Sequence, residues 1–329
     1  GALVAVGLLL GSPAAGSFAA ATEAGKLQLL DLDWSGWGML LTSPYALPVA
    51  VLGGAVFSMA SHGTDQLIVQ RILATRSLTD AKKAMVWSGI FVMLQFALFL
   101  GVGLLLWIHY GGAPLADLGL TRGDELFPMY ILEEMPPGLR GLLLAGIVAA
   151  AMSTLSSSLN ALAGSTLMDL LERFGTTPRT PAQALSLSRV LTLVWAGVFV
   201  GFAMLFTGLD NPVVELGLGI AGFTYGGLLG AFLLGLLSRR ATEADAMTAF
   251  GVTIVAMVLL IFGLWWSAEI GAWVVDWRPT AEAREALGLR AVAWPLYPVI
   301  GSALTIVLGM GLGLRRPGAD PAGQRQTSL

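Results

Sequence analysis

Eight long apolar segments decide what this chain can fold into. They cover about residues 1–18, 46–70, 85–109, 139–168, 187–208, 213–237, 246–268 and 293–314. A helix needs roughly 20 mainly apolar residues to cross a bilayer, and in lipid its backbone polar groups must be paired within the protein. Since the alternating pattern of a membrane barrel is absent, the segments predict an all-α integral membrane protein with about eight transmembrane helices.

The composition supports a lipid environment and excludes several kinds of function. Of the 329 residues, 56% are hydrophobic and 12% are charged, about half the charged share of a typical soluble domain. The chain has no cysteine and only two histidines, His62 and His109, so neither a disulfide framework nor a multi-histidine metal site is expected. The net charge of −3 argues against a nucleic-acid partner. No basic region precedes the first apolar run, so we expect no signal peptide.

The lysine and arginine distribution predicts the orientation in the membrane. With the N-terminus inside, the inner loops hold twelve of the 18 basic residues and the outer loops hold six. Because basic residues favour the cytoplasmic side, both ends of this chain are predicted to be cytoplasmic, in the plasma (inner) membrane. A surface helix is predicted within 123–135, ahead of a helix start at Pro136 and Pro137. Residues 315–329 are predicted to be a disordered tail.

One apolar segment carries an unexpected run of polar side chains. Residues 150–166 read AAMSTLSSSLNALAGST, with six polar residues between Ser153 and Asn160. Residues three or four apart share a helix face, so small and polar residues from Ala145 to Gly164 form a stripe. Such a stripe lets a second helix approach closely, and its hydroxyls can bond across the contact.

The start of this run also predicts an ion site. The carbonyl of Ala150 and the hydroxyls of Ser153 and Thr154 can converge on one point. Three neutral oxygens at one point suit sodium, because they can replace part of its hydration shell. From the residues alone, helix packing and a sodium site both stay open. A serine nucleophile would need a neighbouring base, and none lies nearby in the sequence, so an enzyme is not expected.

The segment 46–70 is polar in a different way. Gly53 and Gly54 lie in its first half, and glycine weakens a helix interior by about 1 kcal/mol. A helix interrupted in this way can line a cavity, so Ser58, Ser61 and His62 are candidate polar contacts to a ligand there.

Polar residues at the end of that segment and in the segment 213–237 complete the candidates. Asp65 is predicted to cap the helix or to pair with neighbours, as are Gln66 and Arg71. In 213–237, the spacing of Gly222 and Gly226 is typical of close helix packing. Thr224 and Tyr225 are further candidate contacts to a solute.

Three stretches resemble one known family. They are GTDQLIVQR, PPGLRGLLLAGIVAAAMSTLSSSLNALAGSTLMDL and LLGAFLLGLLSRRATEADA. In order and spacing they are similar to the sodium:solute symporter family. The resemblance implies a leucine-transporter-like fold, built from two inverted repeats of five helices. Residues 1–18 would be the last helix of the first repeat, 46–237 the second repeat, and 246–314 two additional helices. The first four helices of the first repeat would lie outside this chain.

The resemblance also implies a function and its residues. Ala150, Ser153 and Thr154 would bind sodium, with further ligands from a helix outside this chain. Solute would bind on 46–70 and 213–237, and Ser58 and Ser61 stand where some sugar-transporting members have asparagine and tyrosine, which weighs against a sugar. The implied activity is sodium-coupled import of a small organic solute by alternating access. A membrane solute-sensing domain with little transport is the alternative. Neither the solute nor the oligomeric state follows from the sequence.

Overall fold

The computed structural model describes residues 1–11, 16–28, 30, 32, 36–172, 180–205, 212–277 and 279–315. The chain divides into two compact units, Gly1–Ala15 with Leu105–Pro212 and Gly16–Leu104 with Val213–Leu329. The helices are α1 (Ala2–Gly11), α2 (Phe18–Glu23), α3 (Gly36–Thr42), α4 (Leu47–Thr64), α5 (Gln66–Leu73), α6 (Leu78–His109), α7 (Leu126–Glu133), α8 (Pro137–Ser165), α9 (Pro181–Leu205), α10 (Val213–Leu237), α11 (Glu243–Gly263), α12 (Ala281–Ala286) and α13 (Tyr297–Leu314). Three short strands, β1 (Leu264–Ser267), β2 (Ala272–Val275) and β3 (Leu289–Ala291), form an antiparallel sheet in the order β2-β1-β3.

Helices that can cross a membrane dominate the described residues. Seven are long and apolar enough by length and composition, namely α4, α6, α8 with its extension, α9, α10, α11 and α13. The prediction of an all-α membrane protein is confirmed. The predicted surface helix is α7, and α8 begins at Pro137 directly after Pro136, as the sequence indicated. Of the predicted tail 315–329, only Arg315 lies within the described residues.

The first two predicted spans differ from the observed helices. The helix α1 has ten residues, and Ser17 is extended and caps α2 by accepting a hydrogen bond from the N–H of Ala20. The helix predicted over 46–70 is broken at Asp65, whose backbone is extended (φ −76°, ψ 112°) between α4 and α5. The interruption predicted at the glycines is absent, since α4 is continuous through Gly53 and Gly54, and the break lies at Asp65 instead.

The prediction of a helix up to residue 268 is wrong at its end. The helix α11 ends at Gly263, and the next four residues form β1. Tryptophan and valine pack well in strands, and Gly271 adopts a positive φ of 66° in the turn to β2. The rings of Trp266 and Trp273 face each other across the two strands, with centroids 5.5 Å apart. Hydropathy alone assigned the residues of β1 to a membrane helix, because it contains no information on strand pairing.

In the second unit, α10 and α13 pack through glycines. A methyl group on Gly226 would lie 2.9 Å from the Cα of Pro298, and one on Gly230 would lie 2.8 Å from the carbonyl oxygen of Ser302. From the other side, a methyl group on Gly301 would lie 3.2 Å from the backbone of Gly226. The two backbones are thus in direct contact, so the close packing predicted from Gly222 and Gly226 is present.

A buried hydrogen bond joins α11 to α13 in the same unit. Thr305 donates from its hydroxyl to the hydroxyl oxygen of Thr253 at 2.9 Å and to the carbonyl of Gly301 at 2.9 Å. Both threonines are 0% exposed. Buried polar groups are costly without partners, and this pair satisfies the requirement while fixing the register of the two helices.

In the first unit, α8 packs against α9. From Thr166 to Glu172, α8 continues as a π-helical segment. The indole N–H of Trp195 in α9 donates to the hydroxyl oxygen of Thr166 at 3.0 Å, and that hydroxyl donates to the carbonyl of Leu162 at 2.7 Å. This chain of two bonds fixes the end of α8 against α9.

Candidate ion and solute sites

The predicted ion ligands lie on one stretch of α8. The hydroxyl of Thr154 donates to the carbonyl oxygen of Ala150 at 3.1 Å, so the helix brings these two oxygens together. The hydroxyl of Ser157 donates to the carbonyl of Thr154 at 2.9 Å. Ser153 precedes Thr154 by one residue and is exposed, as are Ala150 and Thr154.

These oxygens are neutral, and the two hydroxyls retain capacity for a cation. A hydroxyl that donates its proton keeps its acceptor lone pairs. The carbonyl of Ala150 already accepts from the helix N–H and from the hydroxyl of Thr154, so it is free for a cation only when that hydroxyl donates elsewhere. Within the described residues, no group of three or more His, Cys, Asp or Glu side chains is placed to hold a metal ion. The chemistry available on α8 is therefore that of backbone carbonyl and hydroxyl oxygens, which suits a monovalent cation and requires no buried carboxylate.

The candidate solute residues on α4 are bonded to one another. The carbonyl of Ser58 accepts hydrogen bonds from the hydroxyl of Ser61 at 3.1 Å and from Nδ1 of His62 at 2.9 Å. Because a carbonyl can only accept, this contact requires the proton to be on Nδ1 of His62. Among the described residues, these three side chains form no hydrogen bond to Thr224 or Tyr225.

Tyr225 of α10 lies against the same helix. Its hydroxyl donates to the carboxylate of Asp65 at 2.6 Å. Its ring meets the ring of Phe57 edge-on, with centroids 5.7 Å apart. Phe57, Ser61 and Asp65 are spaced four residues apart and share one face of α4 up to the break. Ser61 therefore lies on the helix face to which Tyr225 packs.

Thr224, the other candidate on α10, bonds within its own helix. Its hydroxyl donates to the carbonyls of Ile220 at 3.3 Å and Ala221 at 3.1 Å. The hydroxyl keeps its acceptor capacity, so Thr224 can still accept a hydrogen bond from a solute.

A second tyrosine–carboxylate bond joins α4 to α10 where both helices begin. The hydroxyl of Tyr45, just before α4, donates to the carboxylate of Glu215 in the first turn of α10. Burial of the hydroxyl and this hydrogen bond to Glu215 raise the pKa of Tyr45 to about 12. The tyrosine therefore remains protonated and able to donate at physiological pH.

The sequence missed part of this arrangement. Tyr45 and Glu215 lie 170 residues apart and Asp65 and Tyr225 lie 160 apart, so no local pattern connects them. A usable signal existed for Asp65, because an ionisable residue within an apolar segment is a functional candidate by default. Asp65 is the C-cap residue of α4, as one of its two predicted roles required, and its carboxylate also accepts the hydrogen bond from Tyr225 on another helix.

Comparison with known proteins places these helices in a family. The model of the sodium:solute symporter family matches residues 35–253, which include α4, α8 and α10. The chain belongs to the sodium:solute symporter family. It is similar to the sodium/sialic acid symporter SiaT of Proteus mirabilis, with 28% identity over 220 residues, which cover 66% of this chain and 44% of SiaT. It is also similar to the human sodium/iodide cotransporter, with 27% identity over 230 residues, which cover 67% of this chain and 35% of that protein.

A solved structure shows the fold of this family member. The chain superimposes on a Na⁺-coupled sialic acid symporter, in a substrate-bound outward-open state, with a TM-score of 0.60 and 23% identity. The match covers 92% of this chain and 56% of the symporter. The leucine-transporter-like fold is therefore confirmed. The matches to SiaT and to the iodide cotransporter span less than half the length of either relative.

Proposed function

We propose that this family member imports a small organic solute together with sodium, by alternating access. The observation that carries the proposal is the set of neutral oxygens on α8. Ala150, Ser153 and Thr154 bring a carbonyl and two hydroxyls to one turn of α8, at the start of its polar run. Such oxygens can replace water around sodium at low cost, and family membership makes sodium the expected ion.

In this mechanism, binding of sodium to α8 precedes recognition of the solute. Sodium would bridge α8 to further ligands and thereby favour the outward-open state. Solute would then meet the polar groups of α4 and α10, for which Ser58, Ser61, His62, Thr224 and Tyr225 are the proposed contacts. The inward sodium gradient supplies the free energy for import. Each sodium ion that enters moves down its electrochemical gradient, and the energy released drives the solute inward in the same cycle.

The proposal includes an orientation and a location. The protein would lie in the plasma (inner) membrane with Gly1 and Arg315 on the cytoplasmic side, as the positive-inside rule predicts. Under that orientation, Tyr45 and Glu215 lie at the outer ends of α4 and α10. Asp65 lies towards the cytoplasmic side.

The test is uptake by the complete gene product in proteoliposomes. A panel of labelled solutes, including sialic acid and small monocarboxylates, is offered with an inward sodium gradient and again with potassium in its place. We expect accumulation of at least one solute with sodium only. In Ser153→Ala/Thr154→Ala, the sodium concentration for half-maximal uptake should rise about tenfold or more, since each lost hydroxyl ligand removes roughly 1 kcal/mol of binding.

The chain offers a matched control in the same unit. In α9 the hydroxyl of Thr192 donates to the carbonyl of Ser188 at 2.9 Å, the same arrangement as Thr154 and Ala150. Ser188→Ala/Thr192→Ala should therefore leave sodium dependence unchanged. Uptake that is equal in potassium, or equal sodium dependence in both double variants, would contradict the proposal. Sodium-dependent solute binding without accumulation would favour the solute-sensing alternative.

A further inference from the structure

A cavity lies where α10 and α13 end in the second unit. Its volume is about 400 Å³, and it is lined by Leu237, Ser238, Arg239, Arg240, Met310 and Leu314. The proposed transport cycle uses none of these residues. The lining has two halves, one with two guanidinium groups and the other with apolar side chains from two membrane-spanning helices.

The basic half is built on an ordered turn. The hydroxyl oxygen of Ser238 accepts hydrogen bonds from the backbone N–H groups of Arg240 at 3.3 Å and Ala241 at 3.1 Å. Gly313 of α13 packs onto this turn, since a methyl group there would lie 3.1 Å from the nitrogen of Ala241. The backbones of the two arginines are thus held in place before any ligand arrives.

The positive charge at this turn is not neutralised by the described part of the protein. Within the described residues, neither Arg239 nor Arg240 forms an ion pair. Asp245, the buried carboxylate that follows, accepts from the N–H and hydroxyl of Thr242 at 2.9 and 2.8 Å and caps α11. Two exposed arginines at adjacent positions in the lining favour a phosphate group, which arginine binds with paired hydrogen bonds.

The apolar half indicates where that phosphate comes from. Leu237 and Leu314 are 61% and 67% exposed at the ends of their membrane-spanning helices. A free phosphate ion makes no favourable contact with these apolar side chains, whereas the acyl chains of a phospholipid would cover them. Basic cavities between transmembrane helices at the membrane surface are suited to anionic lipid headgroups.

We propose that this cavity binds the headgroup of an anionic phospholipid. Arg239 and Arg240 contact the phosphate, and Leu237, Met310 and Leu314 contact the upper part of the acyl chains. None of the lining residues is a proposed ion or solute ligand, so occupancy of the cavity can be measured without any transport assay.

Binding can be tested with a soluble lipid on the complete gene product in detergent. Dioctanoyl phosphatidylglycerol is titrated and the bound molecules are counted by native mass spectrometry, with dioctanoyl phosphatidylcholine and inorganic phosphate as separate titrations. We expect saturable phosphatidylglycerol binding that Arg239→Gln/Arg240→Gln weakens about tenfold or more, because each basic residue near the surface contributes attraction to anionic lipid. Arg239→Lys/Arg240→Lys keeps the charge but loses the paired hydrogen bonds, so it should bind less tightly than the unmodified protein and more tightly than the glutamine variant. Binding by this variant also shows that the turn tolerates substitution.

A matched pair of basic residues separates this site from general surface charge. Lys82 and Lys83 are also adjacent and exposed, at the start of α6, and are not among the residues that line the cavity. Lys82→Gln/Lys83→Gln should therefore leave phosphatidylglycerol binding unchanged. An equal loss in the two glutamine variants, or wild-type binding by Arg239→Gln/Arg240→Gln, would overturn the proposal. So would inorganic phosphate that competes fully with the lipid at equal concentration, or phosphatidylcholine that binds equally well.

Discussion

The hydroxyl of Tyr225 donates to the carboxylate of Asp65 at 2.6 Å, at the residue where α4 is broken. Tyr45 and Glu215 make a bond of the same type where α4 and α10 begin. In one bond the tyrosine lies in the middle of α10, and in the other it precedes α4. Both ends of α4 are therefore bonded to α10, one to its first turn and the other to its middle.

Removing the hydroxyl of Tyr225 should loosen α10 from the break in α4. Hydrogen bonds to charged groups contribute about 1.5–3 kcal/mol, so we expect Tyr225→Phe to lower the thermal midpoint of unfolding. Tyr297→Phe is the control, since among the described residues no hydrogen bond is recorded for its hydroxyl. Asp65→Ala combined with Tyr225→Phe should cost less than the sum of the single changes. Full additivity would show that the two groups do not interact.

The glycine contact between α10 and α13 predicts a sharp difference between two alanine substitutions. Gly226→Ala places a methyl group against Pro298 and should destabilise the protein by about 1–3 kcal/mol. Gly235 is in the same helix, but a methyl group there has nothing within 4 Å. Gly235→Ala should therefore be neutral or stabilise by up to about 1 kcal/mol. Equal thermal midpoints for the two variants would contradict the observed packing.

The buried hydrogen bond between Thr305 and Thr253 predicts that replacing the donor costs more stability than replacing the acceptor. In Thr253→Val, the hydroxyl of Thr305 still donates to the carbonyl of Gly301, so the loss should stay below about 1 kcal/mol. In Thr305→Val, the hydroxyl oxygen of Thr253 loses its donor while fully buried, which should cost about 1–3 kcal/mol. Denaturant unfolding of the two variants measures the difference. A larger loss in Thr253→Val would reverse the assignment of donor and acceptor.

The connection before α7 should respond to pH. Hydrogen bonds from the N–H and hydroxyl of Thr121 and from Arg122 lower the pKa of Glu125 below its ordinary value of 4.5. Because the folded carboxyl has the lower pKa, its contribution is fully present above pH 4.5 and is lost as the pH falls through the lowered pKa.

Hydrogen exchange of the Thr121 amide, corrected for the intrinsic rate, measures this effect. Protection should be constant from pH 7 to 5 and should decrease below about pH 4. Glu125→Gln should show reduced protection already at pH 7. Asp124→Asn is the control, because it removes the carboxylate of the preceding residue and leaves the bonds from Thr121 to Glu125 intact. Equal protection in Glu125→Gln and the unmodified protein would contradict the role of the carboxylate.

The hydropathy pattern predicted the membrane helices but could not predict their contacts. In the described residues, seven of the eight predicted spans coincide with helices long enough to cross a bilayer, because the cost of unpaired backbone in lipid leaves few alternatives. The predicted end of α11 was wrong because hydropathy is the same for Trp265 and Trp266 in a strand and in a helix. Only the pairing of β1 with β2 and β3 separates the two possibilities.

The candidate site was predictable in part for a similar reason. Ala150 and Thr154 are one helical turn apart, so their approach follows from local geometry and is observed. Tyr225 and Asp65 meet only after 160 intervening positions have folded. The sequence could indicate that Asp65 needs a partner, because a carboxylate in an apolar segment is costly, but not which tyrosine supplies it.

The direct contact between α10 and α13 affects the order in which the protein can be assembled. Gly226 leaves the ribosome about 75 residues before Gly301, its neighbour across the contact. At roughly 5–20 residues per second, that delay is several seconds. Throughout it, the strip of α10 backbone at Gly226 and Gly230 lacks the contacts that α13 makes with it among the described residues. This contact can therefore form only after α13 has been synthesised, however early the helices before it are inserted.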